Sequence, residues 1–163
     1  MKKISLLLAM LCVAVAMQAA VRFRKDGIYY RIMDDSTVYV THAGTDDNFV
    51  SANYQGELDF PWYVYYNNKR YKVNGFDDNA CRDSYNLTYV GVGSPYVIFF
   101  VGQNAFRNCS NLTEIDVTPI YIAGKAFYGC SSLQRITASE WISPQGDNDS
   151  IFYRCSSLET VEL

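Results

Sequence analysis

Short runs of alternating apolar and polar residues occupy the first half of the chain after residue 20, and they predict β-strands. Asp26-Gly27 separates two such runs, which is typical of a two-residue hairpin turn. Residues 37–41 predict another strand, and residues 62–66 pair with 70–73 around Asn67-Asn68. We therefore expect residues 21–73 to form a module of β-hairpins.

One pattern of apolar and small residues occurs four times after residue 79. Each copy begins with an apolar pair. Counting from the second residue of that pair, every third position is cysteine or serine, then leucine, then isoleucine or valine. The leucines that anchor the copies recur at nearly regular intervals, at Leu87, Leu112, Leu133 and Leu158. Since one such unit cannot bury its apolar side alone, the repeat predicts a solenoid in which successive coils stack.

Each repeat divides into a turn and a strand. The Ala-Phe pair predicts a single helical or 3₁₀ turn that buries the phenylalanine, as at Phe106 and Phe127. Asn108 and Gly129 tolerate the left-handed conformation that ends this turn. The leucine then begins a short strand. We expect an α+β repeat, a solenoid of about four coils over residues 74–163, capped by the hairpins of 21–73. Cys81 replaces the phenylalanine of the first coil, which predicts a smaller or differently packed first coil and tolerance of Cys81→Phe.

These motifs resemble the BspA-like leucine-rich repeat family. The repeat carries most of the resemblance, with Val101-Gly102 before Ala105 and Pro119 after the strand. The module before it is similar in three motifs, Asp26-Gly27-Ile28, Tyr54-Gln55-Gly56 and Tyr71-Lys72-Val73. The resemblance covers residues 22–163. It implies a secreted or surface protein of a host-associated microbe and, for some members, adhesion to host extracellular proteins, and it supplies no catalytic residues.

The N-terminal segment, residues 1–20, resembles a secretory signal peptide. Lys2 and Lys3 precede an apolar run over residues 4–16, and Ala19-Ala20 provides small residues for cleavage. The run is short for a membrane-spanning helix, and nothing later in the chain resembles one. We expect an exported protein, at the cell surface, secreted or periplasmic, that does not span a membrane after signal removal.

Charge and histidine content exclude several functional classes. Beyond residue 20 the chain has 12 basic and 17 acidic residues (14 − 2 and 17), with no basic stripe, so we expect no nucleic-acid partner. His42 is the only histidine, which excludes a multi-histidine metal site. We expect His42 to be a solvated loop residue without a catalytic partner. The sequence therefore predicts no enzyme, no cofactor and no resident metal.

Three cysteines occupy the same repeat position, and we expect them to stack inside the core as unpaired thiols. In-register side chains run parallel, so their Cβ atoms do not converge as a disulfide requires. Because exported proteins can form disulfides, a bridge remains open, as does a three-cysteine metal cluster. The three residues are Cys109, Cys130 and Cys155.

The predicted binding surface is the outward face of the repeat strands. If the strand residues alternate, two rows of polar side chains point outward, in a mixed and mildly acidic strip. These candidate residues are Tyr89, Glu114, Asp116, Arg135, Thr137, Thr160 and Glu162. We expect this strip to bind a protein partner.

A second hypothesis is a glycan-binding accessory surface protein. Exposed tyrosines would supply stacking faces for sugars, although half-buried strand positions explain them equally well. These tyrosines are Tyr63, Tyr65, Tyr66, Tyr89 and Tyr96.

The sequence given stops at Val161-Glu162-Leu163, directly after the last repeat leucine. A terminal coil without a cap exposes apolar side chains and strand backbone. We expect either a longer array of which this is a part or a molecule that covers the last coil. In isolation, we expect the mature chain to self-associate through that coil or to have a frayed last coil.

Overall fold

The computed structural model describes residues 20–92, 99–116, 119–137 and 150–162, so the predicted signal peptide lies outside the described residues except for Ala20. The described part contains twelve strands: β1 (Arg22–Lys25), β2 (Ile28–Ile32), β3 (Thr37–Val40), β4 (Gly56–Phe60), β5 (Tyr63–Tyr66), β6 (Lys69–Phe76), β7 (Leu87–Val92), β8 (Phe99–Val101), β9 (Glu114–Asp116), β10 (Pro119–Ile122), β11 (Arg135–Thr137) and β12 (Thr160–Glu162). In these ranges, no helix has the length and apolar character that crossing a bilayer requires.

The strands form two sheets that enclose the core. The first sheet has the order β1-β2-β3-β6-β8-β10, with β5 also paired to β6, and the second has the order β12-β11-β9-β7-β4. All pairings in the second sheet are parallel. The described coils before the last run from a strand of the first sheet to a strand of the second, in the pairs β3 and β4, β6 and β7, β8 and β9, and β10 and β11. Apolar residues of both sheets meet between them, and the leucines of the first three repeats are fully buried.

The predicted N-terminal module and the repeats share both sheets. β3 pairs in parallel with β6, and β4 pairs in parallel with β7. The β1–β2 hairpin extends the first sheet beyond β3, and the β5–β6 hairpin turns at Asn67 and Asn68, both with positive φ. The boundary between the hairpin module and the repeats, placed between residues 73 and 74, stays a prediction.

The prediction of an α+β fold with a helical turn in each coil is wrong, because the described residues contain strands and turns but no helix. Hydrogen bonds explain the difference. In the turn after β8, alternate N–H groups donate to the carbonyl three residues back, as Ala105 does to Gly102. The N–H groups between them donate to the next coil, as Phe106 does to Ala126 at 2.8 Å and Asn108 to Tyr128 at 2.8 Å. Half of the donors that a helix would use therefore join the coils instead.

Left-handed residues also prevent a helix in these turns. Each of the four described turns has two residues with positive φ, four positions apart, namely Asn79 and Asp83, Asn104 and Asn108, Lys125 and Gly129, and Ser150 and Arg154. A left-handed residue interrupts a right-handed helix. The prediction that Asn108 and Gly129 tolerate this conformation is confirmed by φ values of 62° and 77°.

A ladder of phenylalanine rings forms the centre of the core. Phe106 and Phe127 are fully buried, as predicted, and their parallel rings lie 5.3 Å apart between centroids. Phe152 continues the ladder at 5.7 Å from Phe127. In the first copy, where the sequence has Cys81, the ring of Phe76 from β6 lies 4.7 Å from Phe106 instead. In the first coil, the ring beside Phe106 thus comes from the strand before the turn and not from the turn itself.

The repeated cysteines are free thiols, which confirms the prediction that they are unpaired. Each sulfur donates to the carbonyl oxygen of the phenylalanine position one coil earlier, at 3.0 Å from Cys130 to Phe106 and 3.1 Å from Cys155 to Phe127. Burial raises the pKa of Cys109 and Cys130 well above the ordinary value, and that of the partly buried Cys155 to about 11. These thiols therefore stay protonated and serve the packing.

Candidate functional site

The outward side of the second sheet, here called the sheet face, brings predicted binding residues into one row. β7 pairs with β9 through Tyr89 and Glu114, β9 with β11 through Glu114 and Arg135, and β11 with β12 through Arg135 and Thr160. These positions alternate with buried residues such as Ile115. Because the strands are parallel and in register, their side chains project side by side from adjacent strands.

Short polar contacts order this row. Arg135 Nη2 lies 3.1 Å from Glu114 Oε1, and the hydroxyl of Tyr89 donates to Asp116 Oδ2 at 3.4 Å. A Cβ on Gly91 would lie 2.6 Å from both the Tyr89 hydroxyl and Asp59 Oδ1, so glycine makes room for two side chains to meet over β7. Partial burial, and then the charge of Asp116, raise the pKa of Tyr89. The tyrosine hydroxyl thus remains a hydrogen-bond donor among carboxylates.

The sheet face is more acidic than the sequence predicted. Among its described side chains, five are carboxylates, from Glu57, Asp59, Glu114, Asp116 and Glu159, and a single guanidinium comes from Arg135. A depression of about 400 Å³ lies between β4, β7 and β9, and one of about 140 Å³ lies between β9, β11 and β12. The face therefore offers shallow depressions with acidic rims, suited to basic side chains.

Glu57 and Asp59 are the face residues that sequence reasoning missed. They lie on β4, opposite Tyr89 and Gly91 of β7, and continue both rows by one strand. The alternation Gly56-Glu57-Leu58-Asp59-Phe60 was a signal, but its pairing with a strand much later in the chain was not visible in the local pattern. Thr137 and Glu162 pair through their backbones, and their side chains lie outside what the structure describes.

A second concave feature, here called the tyrosine groove, lies between the β1–β2 turn, the end of β4, and β5. Its volume is about 610 Å³, and its lining includes Tyr30, Asp59, Phe60, Tyr63 and Tyr65. Most of the lining is apolar or aromatic, and it also includes Lys25 at the end of β1 and Asp26 of the β1–β2 turn. Such a mixture is typical of small-molecule sites in proteins.

The candidate tyrosines have different surroundings. Tyr65 is 62% exposed, whereas Tyr66 is half-buried and stacks on Phe23 at 4.3 Å between centroids. Tyr63 has the guanidinium of Arg70 over its ring at 4.5 Å. Tyr96 lies outside the described residues. Of the predicted tyrosines, Tyr63 and Tyr65 thus share the groove, and Tyr89 belongs to the sheet face.

The expectation that His42 is solvated is wrong, since the residue is only 6% exposed. The loop after β3 folds back on itself, so that His42 Nδ1 accepts a hydrogen bond from the N–H of Gly44 at 3.1 Å and the imidazole packs against Phe49. Burial, and then the charge of Arg22, lower the pKa of His42. A neutral imidazole is therefore part of the loop's packing.

Beside His42, two ion pairs join the β1–β2 hairpin to the first coils. Arg22 pairs with Asp46, and Arg31 pairs with the buried Asp77. Thr41 links the two pairs, since its hydroxyl accepts from Arg22 Nη1 at 2.7 Å and donates to Asp77 Oδ2 at 3.1 Å. Each charge has a partner of opposite sign, so the cluster fastens the hairpin. Among the described residues, no three histidine, cysteine or acidic side chains converge as metal ligands would.

Residues 72–163 match the family model of the BspA type leucine rich repeat region, in six copies. Solved structures with the same fold include a leucine-rich repeat protein from Bacteroides capillosus ATCC 29799, with a TM-score of 0.62 and 24% identity over 86% of this chain and 96% of that one. A leucine rich cell surface protein from Faecalibacterium prausnitzii A2-165 has a TM-score of 0.58 and 22% identity over 90% of this chain and 44% of that one. A leucine-rich repeat protein from Bacteroides ovatus ATCC 8483 has a TM-score of 0.52 and 23% identity over 86% and 41%, respectively. This chain therefore spans less than half of the last two proteins. No curated protein matches it.

Proposed function

The chain belongs to the BspA type leucine rich repeat family, and we propose that it is an exported module that binds a protein partner on its sheet face and catalyses no reaction. Proteins built from these repeats are in general binding modules. One observation carries the choice of surface. Described strands β4, β7 and β9 place Glu57, Asp59, Glu114 and Asp116 side by side around Tyr89.

The charge of the sheet face defines the partner's chemistry. Arg135 alone opposes five described carboxylates, so the face attracts a segment that presents lysine or arginine side chains. Tyr89, with its hydroxyl held by Asp116, supplies an aromatic anchor at the centre of the row. Because these charges are largely exposed, binding weakens as the salt concentration rises.

The proposed location is outside the cytoplasm, at the cell surface, secreted or in the periplasm. Residues 1–20 support export through their signal-like pattern, and a neighbour of the same fold is described as a cell surface protein. Export also agrees with the resemblance to surface proteins of host-associated microbes.

Self-association through the last coil is part of the proposal. In the described part of the chain, β12 pairs on one side only, and Val161 at its centre is 40% exposed. Strand edges of this kind pair readily with another chain. Sedimentation of the mature chain tests this contact, and a strictly monomeric protein at high concentration would exclude it.

The experiment on the sheet face uses purified extracellular matrix proteins and a lysine-rich peptide as probes, with binding measured by biolayer interferometry at two salt concentrations. Glu57→Lys with Glu114→Lys reverses two charges of the face. Asp35→Lys with Asp47→Lys makes the same change in net charge on exposed turns elsewhere. We expect the face variant to lose at least tenfold in affinity and the control to stay within twofold. Equal losses in both variants would contradict a role for the sheet face.

A glycan is the second candidate ligand, and the tyrosine groove is the observation that favours it. Its aromatic lining and its volume of about 610 Å³ suit a small hydroxylated ligand better than the flat sheet face does.

A further inference from the structure

We propose that the outer edge of β4, which faces away from β7, binds an extended basic peptide segment as a further strand of the second sheet. This inference rests on the proposed function and adds how the basic partner is held. In the described part of the chain, β4 pairs with β7 alone, and no backbone hydrogen bond joins residues 57–60 to any other segment. The N–H and C=O groups on such an edge are a template for another chain.

The two sheets differ in extent at this end of the molecule. The first sheet continues beyond β3 with β2 and β1, whereas the second ends at β4, the strand that shares a coil with β3. No described strand therefore lies beside β4 and opposite β2. Part of this space is the tyrosine groove, whose lining includes Tyr30 of β2 and Phe60 at the end of β4. An added strand thus finds room beside β4.

The inward side of β4 also lacks a neighbour, at Leu58. In the following strands of the second sheet, the residues in its register are at most 4% exposed, namely Val90, Ile115 and Ile136. Leu58 is only partly buried, because a strand covers it on one side alone. An apolar residue on the inward side of an added strand would complete this row.

The outward side of β4 determines the charge of the added strand. Glu57 and Asp59 project from it and are exposed. Arg135, the described guanidinium of the sheet face, pairs instead with Glu114 on β9 at 3.1 Å, two strands away from β4. Since side chains alternate along a strand, lysine or arginine at alternate positions would lie beside both carboxylates. The segment that fits β4 therefore alternates basic and apolar residues.

A second copy of this chain fits the same edge less well. If β12 of another copy continued the second sheet in register, Glu162 would come into line with Asp59. Like charges on adjacent strands destabilise their pairing. The charge pattern of β4 therefore favours a basic segment of a different protein.

The test uses synthetic peptides and the mature chain. One peptide alternates lysine and valine, and a second has the same composition with its lysines consecutive. Two further versions of the alternating peptide carry N-methyl groups, one on the lysine nitrogens and the other on the valine nitrogens. Because the N–H groups of an extended chain alternate between its two edges, each methylated peptide blocks one edge only. Calorimetry measures affinity, and hydrogen exchange followed by NMR locates the peptide.

We expect the alternating peptide to bind at least tenfold more tightly than the consecutive one. One methylated peptide loses at least tenfold in affinity, and the other stays within threefold of the unmethylated peptide. Amide exchange slows within residues 57–60 and is unchanged in β12, the edge at the other end of the same sheet. Equal effects of the two methylations, unchanged exchange in β4, equal slowing in β12, or no binding of the alternating peptide would overturn the proposal.

Variants of the chain test the charges. Glu57→Gln with Asp59→Asn neutralises both carboxylates and lowers the affinity for the alternating peptide at least fivefold. The control, Asp35→Asn with Asp47→Asn, removes two charges from exposed turns and stays within twofold. Melting curves verify that both variants keep the fold. An equal loss in the control would contradict the assignment to β4.

Two further outcomes separate this inference from its alternatives. Protection of the β4 amides that rises with the concentration of the chain alone would identify a second copy as the occupant and overturn the proposal. Loss of partner binding in Glu57→Lys with Glu114→Lys, together with β4 amides that no peptide protects, would overturn pairing at the edge and retain the sheet face as the binding surface.

Discussion

At the scale of single residues, the phenylalanine ladder dominates the stability of the core. Phe127 lies between Phe106 and Phe152, with no exposed surface, whereas Phe152 is partly buried at one end. We expect Phe127→Ala to lower the free energy of unfolding by about 3–5 kcal/mol, because it leaves a cavity between two rings. Phe152→Ala, the matched control, costs less since its neighbours are closer to solvent. Urea denaturation of both variants measures the difference, and equal midpoints would contradict the ladder.

At Cys81 the structure leads to a different expectation from the repeat alignment. The repeat alignment predicts that Cys81→Phe is tolerated, because the other copies have phenylalanine there. In the structure, however, Phe76 packs next to Phe106 on this part of the ladder, and Cys81 itself is fully buried. A phenylalanine at position 81 would therefore compete with Phe76 for the space beside Phe106.

We accordingly expect Cys81→Phe to destabilise the chain by roughly 1–3 kcal/mol through overpacking. Cys81→Phe combined with Phe76→Ala, which opens space beside it, recovers part of that loss. Thermal unfolding of the single and double variants measures the coupling between the two positions. A single variant as stable as the parent would show that the coil adapts without Phe76.

At the scale of elements, local patterns predicted the strands and the left-handed turn residues but not the absence of helix. The left-handed conformation of Asn108 and Gly129 was predictable, because these residue types favour it. The partner of Phe106 N–H is Ala126 O, which lies one coil later, and no local rule identifies it. The sequence of such a turn predicts a helix, because only hydrogen bonds between coils distinguish this turn from a helical one.

Lys125 occupies a left-handed position, with a φ of 58°, where the equivalent residue of the preceding coil is Asn104. Lysine adopts this conformation at a cost that asparagine and glycine largely avoid. We expect Lys125→Asn to raise the free energy of unfolding by roughly 0.5–1 kcal/mol, and Asn104→Lys, the reciprocal change, to lower it by a similar amount. Chemical denaturation measures both, and a loss of stability in Lys125→Asn would contradict the strain.

At the scale of the whole molecule, the candidate site was only partly predictable. Tyr89, Glu114, Arg135 and Thr160 were aligned correctly by the repeat, because one register repeats along the array. Glu57 and Asp59 were not, since their strand precedes the recognisable copies and its place in the sheet depends on long-range pairing. The groove likewise joins residues from three separate segments, which no single stretch of sequence reveals.

The buried His42 and the ion pair between Arg22 and Asp46 beside it make stability depend on pH. The pKa of His42 is lowered from 6.5 in the folded chain, mainly by burial, so the unfolded chain binds the proton more readily. Stability is therefore highest above pH 6.5 and falls as the pH drops toward the folded pKa. The pKa of Asp46 is lowered from 3.8, chiefly by its hydrogen bond from Arg22, and its contribution is lost at still lower pH.

We expect the urea midpoint to decrease between pH 7.5 and pH 5.5 in the parent and to change much less in His42→Gln. His42 is the only histidine, which makes this window specific to it. A parent midpoint that is constant over this window would contradict the burial of a neutral imidazole.

The alternating hydrogen bonds of the turns decide where such a chain can gain or lose residues during evolution. In a turn, N–H groups that bond to the neighbouring coil alternate with N–H groups that bond within their own coil. Inserting one residue would exchange these two sets, and the hydrogen bonds between the coils would be lost. The number of residues between the phenylalanine position in the turn and the anchoring leucine is accordingly the same in every copy, as from Cys81 to Leu87 and from Phe152 to Leu158. The distance between successive leucines instead varies, being shorter from Leu112 to Leu133 than in the copies on either side. Changes in length are therefore confined to the segments between one strand and the next turn.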